Sequence, residues 1–159
     1  MNRIITLLAC CLLLVTACAQ QRKFPDQTGY ISDFYGLFSL QERKSLDSLV
    51  TAFEKETTAE IGVVTVDSTF SSREKFESAA VDLHNAWGVG KKGKNNGVLI
   101  VICNDYRRIR ISNGYGIEEK MTNEETKQIV DTIILPEFRQ SNYYEGTYKG
   151  ILAIMKEIR

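Results

Sequence analysis

The sequence predicts an α/β fold, a three-layer α/β/α sandwich in which a small mixed β-sheet is flanked by helices, and three observations predict it. Ile61 to Val66 and Val98 to Cys103 are unbroken apolar runs, too short for ordinary helices and rich in β-branched residues, which is the pattern of strands buried on both faces. Between them Phe76, Ala79, Ala80, Leu83 and Trp87 recur at helical spacing, so strand, helix and strand form a right-handed crossover unit with parallel strands. From Arg107 to Ser112, Ile109 and Ile111 then alternate with Arg108, Arg110 and Ser112. That pattern reads as a half-buried strand returning antiparallel through the turn Asn104-Asp105-Tyr106.

Taken in order, the chain begins with an address. Asn2 and Arg3 precede an apolar run from Ile4 to Val15, and the run closes on Val15-Thr16-Ala17-Cys18. A basic start, an apolar region of about a dozen residues and small residues before a cut site describe a secretory signal rather than a membrane span. The cysteine after the small pair makes the stretch resemble a bacterial lipoprotein signal. Residues 1–17 are therefore expected to be a signal peptide, with Cys18 the lipidated first residue of the mature chain and residues 18–29 a polar tether. Residues 30–159 are left as one domain, long enough to bury a substantial core.

Within that domain, Tyr30-Ile31 suits a short edge strand. Ser39-Leu40-Gln41-Glu42 has the form of a capping box, and Leu46, Leu49, Val50 and Phe53 continue at helical spacing to about Glu56. Ser71-Ser72-Arg73-Glu74 offers a second box before the Phe76 helix. Trp87 to Gly97 is a glycine-rich loop delivering the chain to the central strand, and Gly114-Tyr115-Gly116 closes the hairpin with glycines that suit positive φ or a close backbone approach. Thr122-Asn123-Glu124-Glu125 is a third box, from which Ile129, Val130, Ile133 and Ile134 carry a helix that Pro136 is expected to stop. Tyr148, Ile151, Leu152, Met155 and Ile158 mark a last amphipathic helix.

Charge and cysteines narrow the function. Basic and acidic residues number 20 each, and loss of Arg3 with the signal leaves 19 against 20, so nothing points to nucleic acid as a partner. Of the four cysteines, Cys10 and Cys11 leave with the signal and Cys18 takes lipid. Cys103, alone in a buried strand, has no disulfide partner within one mature chain and is expected to be unreactive.

Parallel strands of an open α/β sheet bring their carboxyl ends to one edge, where ligands tend to bind. Three loops there carry Asp33, Asp67 and Asp105, hard-oxygen ligands of the type calcium and magnesium prefer, and two helix starts that favour an anion point the same way. A divalent metal, calcium by preference, is the expected ligand; the alternative is that each aspartate only caps a helix or makes a turn. The opposite edge gathers Asn96, Tyr115, Glu118 and Glu119, either as a second site or as well-formed tight loops. Gly88, Gly90 and Gly93 spell G-x-G-x-x-G, but between a helix and a strand, the reverse of the dinucleotide context. His84, the single histidine, has no cysteine or histidine partner at metal spacing and reads as a structural or surface residue. No nucleophile, base and orienting group can be assembled into a triad.

The stretches Tyr30 to Ser39, Trp87-Gly88-Val89-Gly90, Asn95 to Val101, Arg107 to Ile111 and Gly114 to Glu118 together resemble the successive motifs of the TPM domain family. The resemblance implies an exported or lumenal α/β sandwich, and some members of that family bind calcium or other divalent ions. Asp33 matches the acidic position of its first motif and Asp105 the polar turn before its arginine strand; Asp67 rests on the edge argument alone. A plant member of the thylakoid lumen is described as an acid phosphatase acting in photosystem II repair. Many bacterial members carry a C-terminal membrane helix or glycine-rich tail, and here attachment is expected from the lipid at Cys18. The expected role is a lipid-anchored, metal-binding accessory of the cell envelope, outside the cytoplasm, that contacts envelope or membrane proteins. The alternative is a metal-assisted phosphatase acting on phosphate monoesters.

Overall fold

The structure is a computed structural model that describes residues 24–159, so the signal peptide and Cys18 lie outside the described residues. Four strands form a single sheet in the order β1 (Ile31–Asp33), β2 (Glu60–Val66), β3 (Gly97–Cys103) and β4 (Arg108–Asn113). The first three are parallel, with Ile31 opposite Val63 and Val63 opposite Ile100. β4 returns antiparallel, Ile100 facing Ile111. β2 and β3 are buried almost throughout, as their apolar runs require, because helices cover both faces.

One face carries the larger core. Helix α1 (Leu40–Thr57) lays Leu46, Val50 and Phe53 against Ile61, Val63, Ile100 and Ile102, and the C-terminal helices complete that layer. On the other face, α2 (Phe76–Trp87) packs Phe76, Ala80 and Leu83 over Val64, Val66, Leu99 and Val101. The odd and even residues of each strand thus serve different layers, which is the strand period of two expressed as a three-layer sandwich. The α/β fold class read from the sequence is the observed one.

The capping boxes at Ser39 and Thr122 both form, each hydroxyl accepting from the Glu42 or Glu125 amide while the glutamate accepts from the cap residue's own N–H. The second expected box does not. Residues Arg73–Lys75 make a turn of 3₁₀-helix with no side-chain cap, and the Ser71 hydroxyl donates instead to the Ser72 carbonyl. A four-residue helix, α3 (Tyr115–Glu118), stands where only a glycine turn was expected.

Pro136 does not stop its helix. After α4 (Asn123–Ile129) the chain widens into a π-helical turn over Val130–Ile134, in which the Leu135 N–H reaches back to the Val130 carbonyl. Pro136 then occupies the first turn of α5 (Leu135–Phe138), where a missing N–H costs least. The last helix, α6 (Tyr143–Ile158), starts earlier than Tyr148 and brings Gly150 against the π turn; a Cβ there would lie 2.6 Å from Ile134. The widened turn and the glycine fit one another.

The segment read as a tether joins the body from Phe24 onward. The Phe24 ring lies 5.8 Å from that of Phe70 and packs against the α2-side core, and the Trp87 indole donates to the Pro25 carbonyl at 2.9 Å.

Candidate functional site

The carboxyl ends of β1, β2 and the β3–β4 hairpin do meet at one edge, and hydrogen bonds tie their loops together. At the end of β1, Asp33 accepts through Oδ1 from the Gly36 and Leu37 amides and the Thr65 hydroxyl, and through Oδ2 from the Phe38 amide at 3.0 Å. This carboxylate organises the turn leading into α1. Thr65, on β2 opposite Asp33, also accepts from the Tyr35 amide at 3.0 Å, which fastens the first loop to the second strand.

Beyond β2, Asp67 Oδ1 accepts from the amide and hydroxyl of Thr69. The next amide, Ser68 N–H, donates to Asp105 Oδ2 at 2.8 Å across from the hairpin turn. The Ser68 amide, then the Ser68 and Tyr35 side chains, hold the Asp105 carboxyl below the usual range. One exposed carboxylate thus joins all three loops. The Tyr106 hydroxyl donates to the Ser71 carbonyl at 2.8 Å, and the Arg73 guanidinium sits 5.8 Å from the centre of its ring, so the loop after β2 is clamped against the hairpin.

Whether these residues fit a divalent cation turns on spare lone pairs. A carboxylate offers about two acceptor positions on each oxygen; in Asp33, Oδ1 is saturated by three protein donors and builds the loop, while Oδ2 takes one amide and keeps one position for a ligand. Asp67 and Asp105, joined through Ser68, are hard-oxygen donors on the exposed lip. Among the described residues no group of three or more His, Cys, Asp or Glu side chains is placed to hold a metal. The fit is therefore partial: Asp67 and Asp105 lie on neighbouring loops, and Asp33 offers one position of Oδ2.

The opposite edge is built from tight loops. Lys91 forms ion pairs with Glu54 and, at 2.6 Å, with Glu60, while Glu60 also accepts from the Gly90 amide at 2.7 Å. The Tyr30 hydroxyl donates to Glu54; that bond, then burial and the nearby carboxylate charges, push the phenol up to about 12. The same network lowers Glu54, first through Lys91 and then through Tyr30. Asn96 donates to the Thr58 carbonyl and accepts from the Lys91 amide, so its side chain is a loop brace. No signal in the sequence marked Glu54, Glu60 and Lys91 as partners.

His84 lies towards this second edge. Its Nε2 faces the Val89 carbonyl at 3.3 Å and its Nδ1 the Ser112 hydroxyl at 2.9 Å. Since a carbonyl only accepts, Nε2 carries the proton and Ser112 donates to Nδ1. Burial pushes the imidazole below its ordinary value, outweighing its hydrogen bonds, and the ring pins the end of α2 to β4. Cys103 is wholly buried at the end of β3, and burial is the first cause of its raised thiol pKa. Neither residue is placed to act as base or nucleophile at the aspartate edge.

Comparison with known proteins adds family evidence to this geometry. The family described as TPM domain matches residues 31–157. The solution NMR structure of the N-terminal domain of a P. gingivalis protein is 32% identical, with 81% of each chain covered and a TM-score of 0.72. BA42, from the psychrophilic bacterium Bizionia argentinensis, is 21% identical over 76% of this chain and 81% of its own, with a TM-score of 0.65. The N-terminal domain of a Corynebacterium glutamicum protein shares the fold at 13% identity, over 87% of this chain and 86% of its own, with a TM-score of 0.62. No curated protein matches this chain.

Proposed function

The chain belongs to the TPM domain family, and from that premise we propose that it serves as an exported, lipid-anchored accessory of the cell envelope whose aspartate edge takes a divalent cation, calcium by preference. The observation that carries this reading is the cross-tying of three loops at one exposed edge through Asp105 and Ser68, beside Asp67. A dication there would supply positive charge between two loops and stiffen the edge as a surface for an envelope or membrane protein. Asp67 and Asp105 would hold it, and Asp33 would keep the first loop in place. Hydrolysis finds less support, because His84 and Cys103 are both committed to the interior.

The experiment is a thermal melt with calcium and with chelator. A ligand that binds only the native state raises stability by about 2.7 kcal/mol at a hundredfold excess over its dissociation constant. The melting temperature should rise with calcium, and Asp67→Asn or Asp105→Asn should blunt the rise. Asp33→Asn should instead lower the baseline, and Glu118→Gln on the far edge should change neither. Equal calcium responses in the wild type, Asp67→Asn and Asp105→Asn would remove the metal from this edge. Metal-dependent turnover of p-nitrophenyl phosphate, lost in the same two variants, would favour the phosphatase reading.

A further inference from the structure

The hairpin turn after β3 and the corner between α5 and α6 enclose a pocket of about 400 Å³, within the range that holds a small organic ligand. Its floor is apolar: Ile102 and Leu135 lie beside the Phe138 and Tyr143 rings, whose centres are 5.0 Å apart. Its rim is polar, with Asn104 and Arg107 from the hairpin and Arg139 and Ser141 from the corner. Arg108 also lines it but is committed, donating to the Arg73 carbonyl at 3.1 Å and facing Glu77 at 4.0 Å.

Among the described residues, the side chains of Asn104, Arg107, Arg139 and Ser141 have no hydrogen bond or ion pair, and no carboxylate lines the pocket. The acidic residues nearest in the chain are engaged elsewhere: Asp105 accepts from the Ser68 amide, and Glu137 from Lys149 and Asn142. Arg107 also borders the groove that carries Glu77, Glu124 and Asp131, yet among the described residues it pairs with none of them; Glu77 faces Arg108 and Arg110, and Asp131 is held by Lys127. Two exposed guanidinium groups therefore stand at one mouth without a neutralising partner.

Both turns at this mouth would suit glycine better. Arg107 has φ 50° and Ser141 φ 64°, left-handed values that favour a residue without Cβ. The Arg107 amide closes its turn on the Asn104 carbonyl and the Ser141 amide on the Phe138 carbonyl, each at 3.0 Å, so hydrogen bonds hold the strained backbone in place. Each position gives up conformational ease and sets a polar side chain at the rim.

We infer that this pocket binds a small organic oxyanion, a phosphate or carboxylate carried on an aromatic group. The ring would lie against Phe138 and Tyr143, and the oxyanion would bridge Arg107 and Arg139, whose planar forks each match two oxygens at once. The pocket is separate from the cation proposed at Asp67 and Asp105 and does not depend on it.

The test titrates the 15N-labelled protein, in chelator, with phenyl phosphate, phenylacetate, inorganic phosphate and neutral benzyl alcohol. Chelator keeps the result independent of the cation. Phenyl phosphate or phenylacetate should shift the amides of Asn104–Arg108 and Phe138–Tyr143 saturably in the millimolar range, and the tighter of the two identifies the oxyanion. Inorganic phosphate lacks the ring and benzyl alcohol the charge, so each should bind at least about tenfold more weakly. Arg139→Gln should weaken the tighter anion about tenfold or more, the loss expected for one charge-assisted bond. Lys92→Gln removes the same charge at the opposite edge and should leave binding unchanged. The proposal is overturned by no shift with either aromatic anion at tens of millimolar, by shifts confined to other surfaces, or by benzyl alcohol or inorganic phosphate binding equally well. Undiminished binding in Arg139→Gln, or an equal loss in Lys92→Gln, overturns it too.

Discussion

His84 shows how a single residue can couple fold to pH. Unfolded, its imidazole titrates near 6.5; folded, burial holds it lower, between the Val89 carbonyl and the Ser112 hydroxyl. Above that unfolded value both states are neutral and its contribution to stability is complete. As pH falls from 6.5 towards the lowered folded value, the unfolded chain binds a proton that the native state refuses, so stability drops. His84→Gln should be less stable at neutral pH yet show a shallower loss of urea midpoint between pH 7.5 and 5.5, conditions chosen about a unit either side of the free histidine value. Parallel wild-type and variant profiles would mean that the ring is solvated in solution. Sequence left His84 as a structural or surface residue, from its lack of partners; burial and the Ser112 hydroxyl settle the first of these, and the sequence could not supply Ser112 as its neighbour. Asp33 is the opposite case. Its position at the end of a strand suits a ligand and a turn equally well; the three amides and one hydroxyl that it accepts show the turn, which the sequence could not, and leave one position of Oδ2 for a ligand.

Elements were legible where local chemistry decides them. The boxes at Ser39 and Thr122 formed because serine or threonine and glutamate satisfy each other within one turn, needing no tertiary help. Pro136 misled because its local effect was overridden at a distance: the π turn before it is accommodated by Gly150 of α6. The same distant dependence governs the glycine loop. A Cβ on Gly97 would stand 2.1 Å from the Val89 carbonyl oxygen, and one on Gly116 2.1 Å from the Lys94 carbonyl oxygen, so the loop backbone packs directly on β3 and α3. Gly97→Ala should cost about 3 kcal/mol or more, since backbone rather than a flexible side chain must move. Gly93→Ala meets nothing within 4 Å and should cost only the roughly 1–2 kcal/mol of a left-handed alanine. Denaturant midpoints of the two variants check this, and a smaller loss at Gly97 than at Gly93 would refute the close approach.

At the scale of the molecule the two helical layers are unequal. One face of the sheet is covered by α1 and the C-terminal helices, the other by α2 alone, with Phe24, Phe70, Trp87, Val89 and Tyr106 closing around its smaller core. The N-terminal segment is therefore part of the second layer, and its polar composition hid that, since one aromatic residue gives no periodicity to read. Phe24 also stands six residues after Cys18, a span of at most about 20 Å when fully extended. With Cys18 lipidated as proposed, the anchor would hold this face of the domain close to the bilayer. Because Trp87 is the chain's only tryptophan and donates to the Pro25 carbonyl, its emission reports the docking directly. A chain starting at Gly29 should keep its helical circular dichroism, shift its tryptophan emission to the red and melt a few degrees lower, as expected for the loss of about 1–2 kcal/mol of buried aromatic contact. Phe24→Ala should move both readouts the same way by a smaller amount. Unchanged emission in the shortened chain would mean that Phe24 and Pro25 do not rest on α2 in solution, and that the second layer is complete without them.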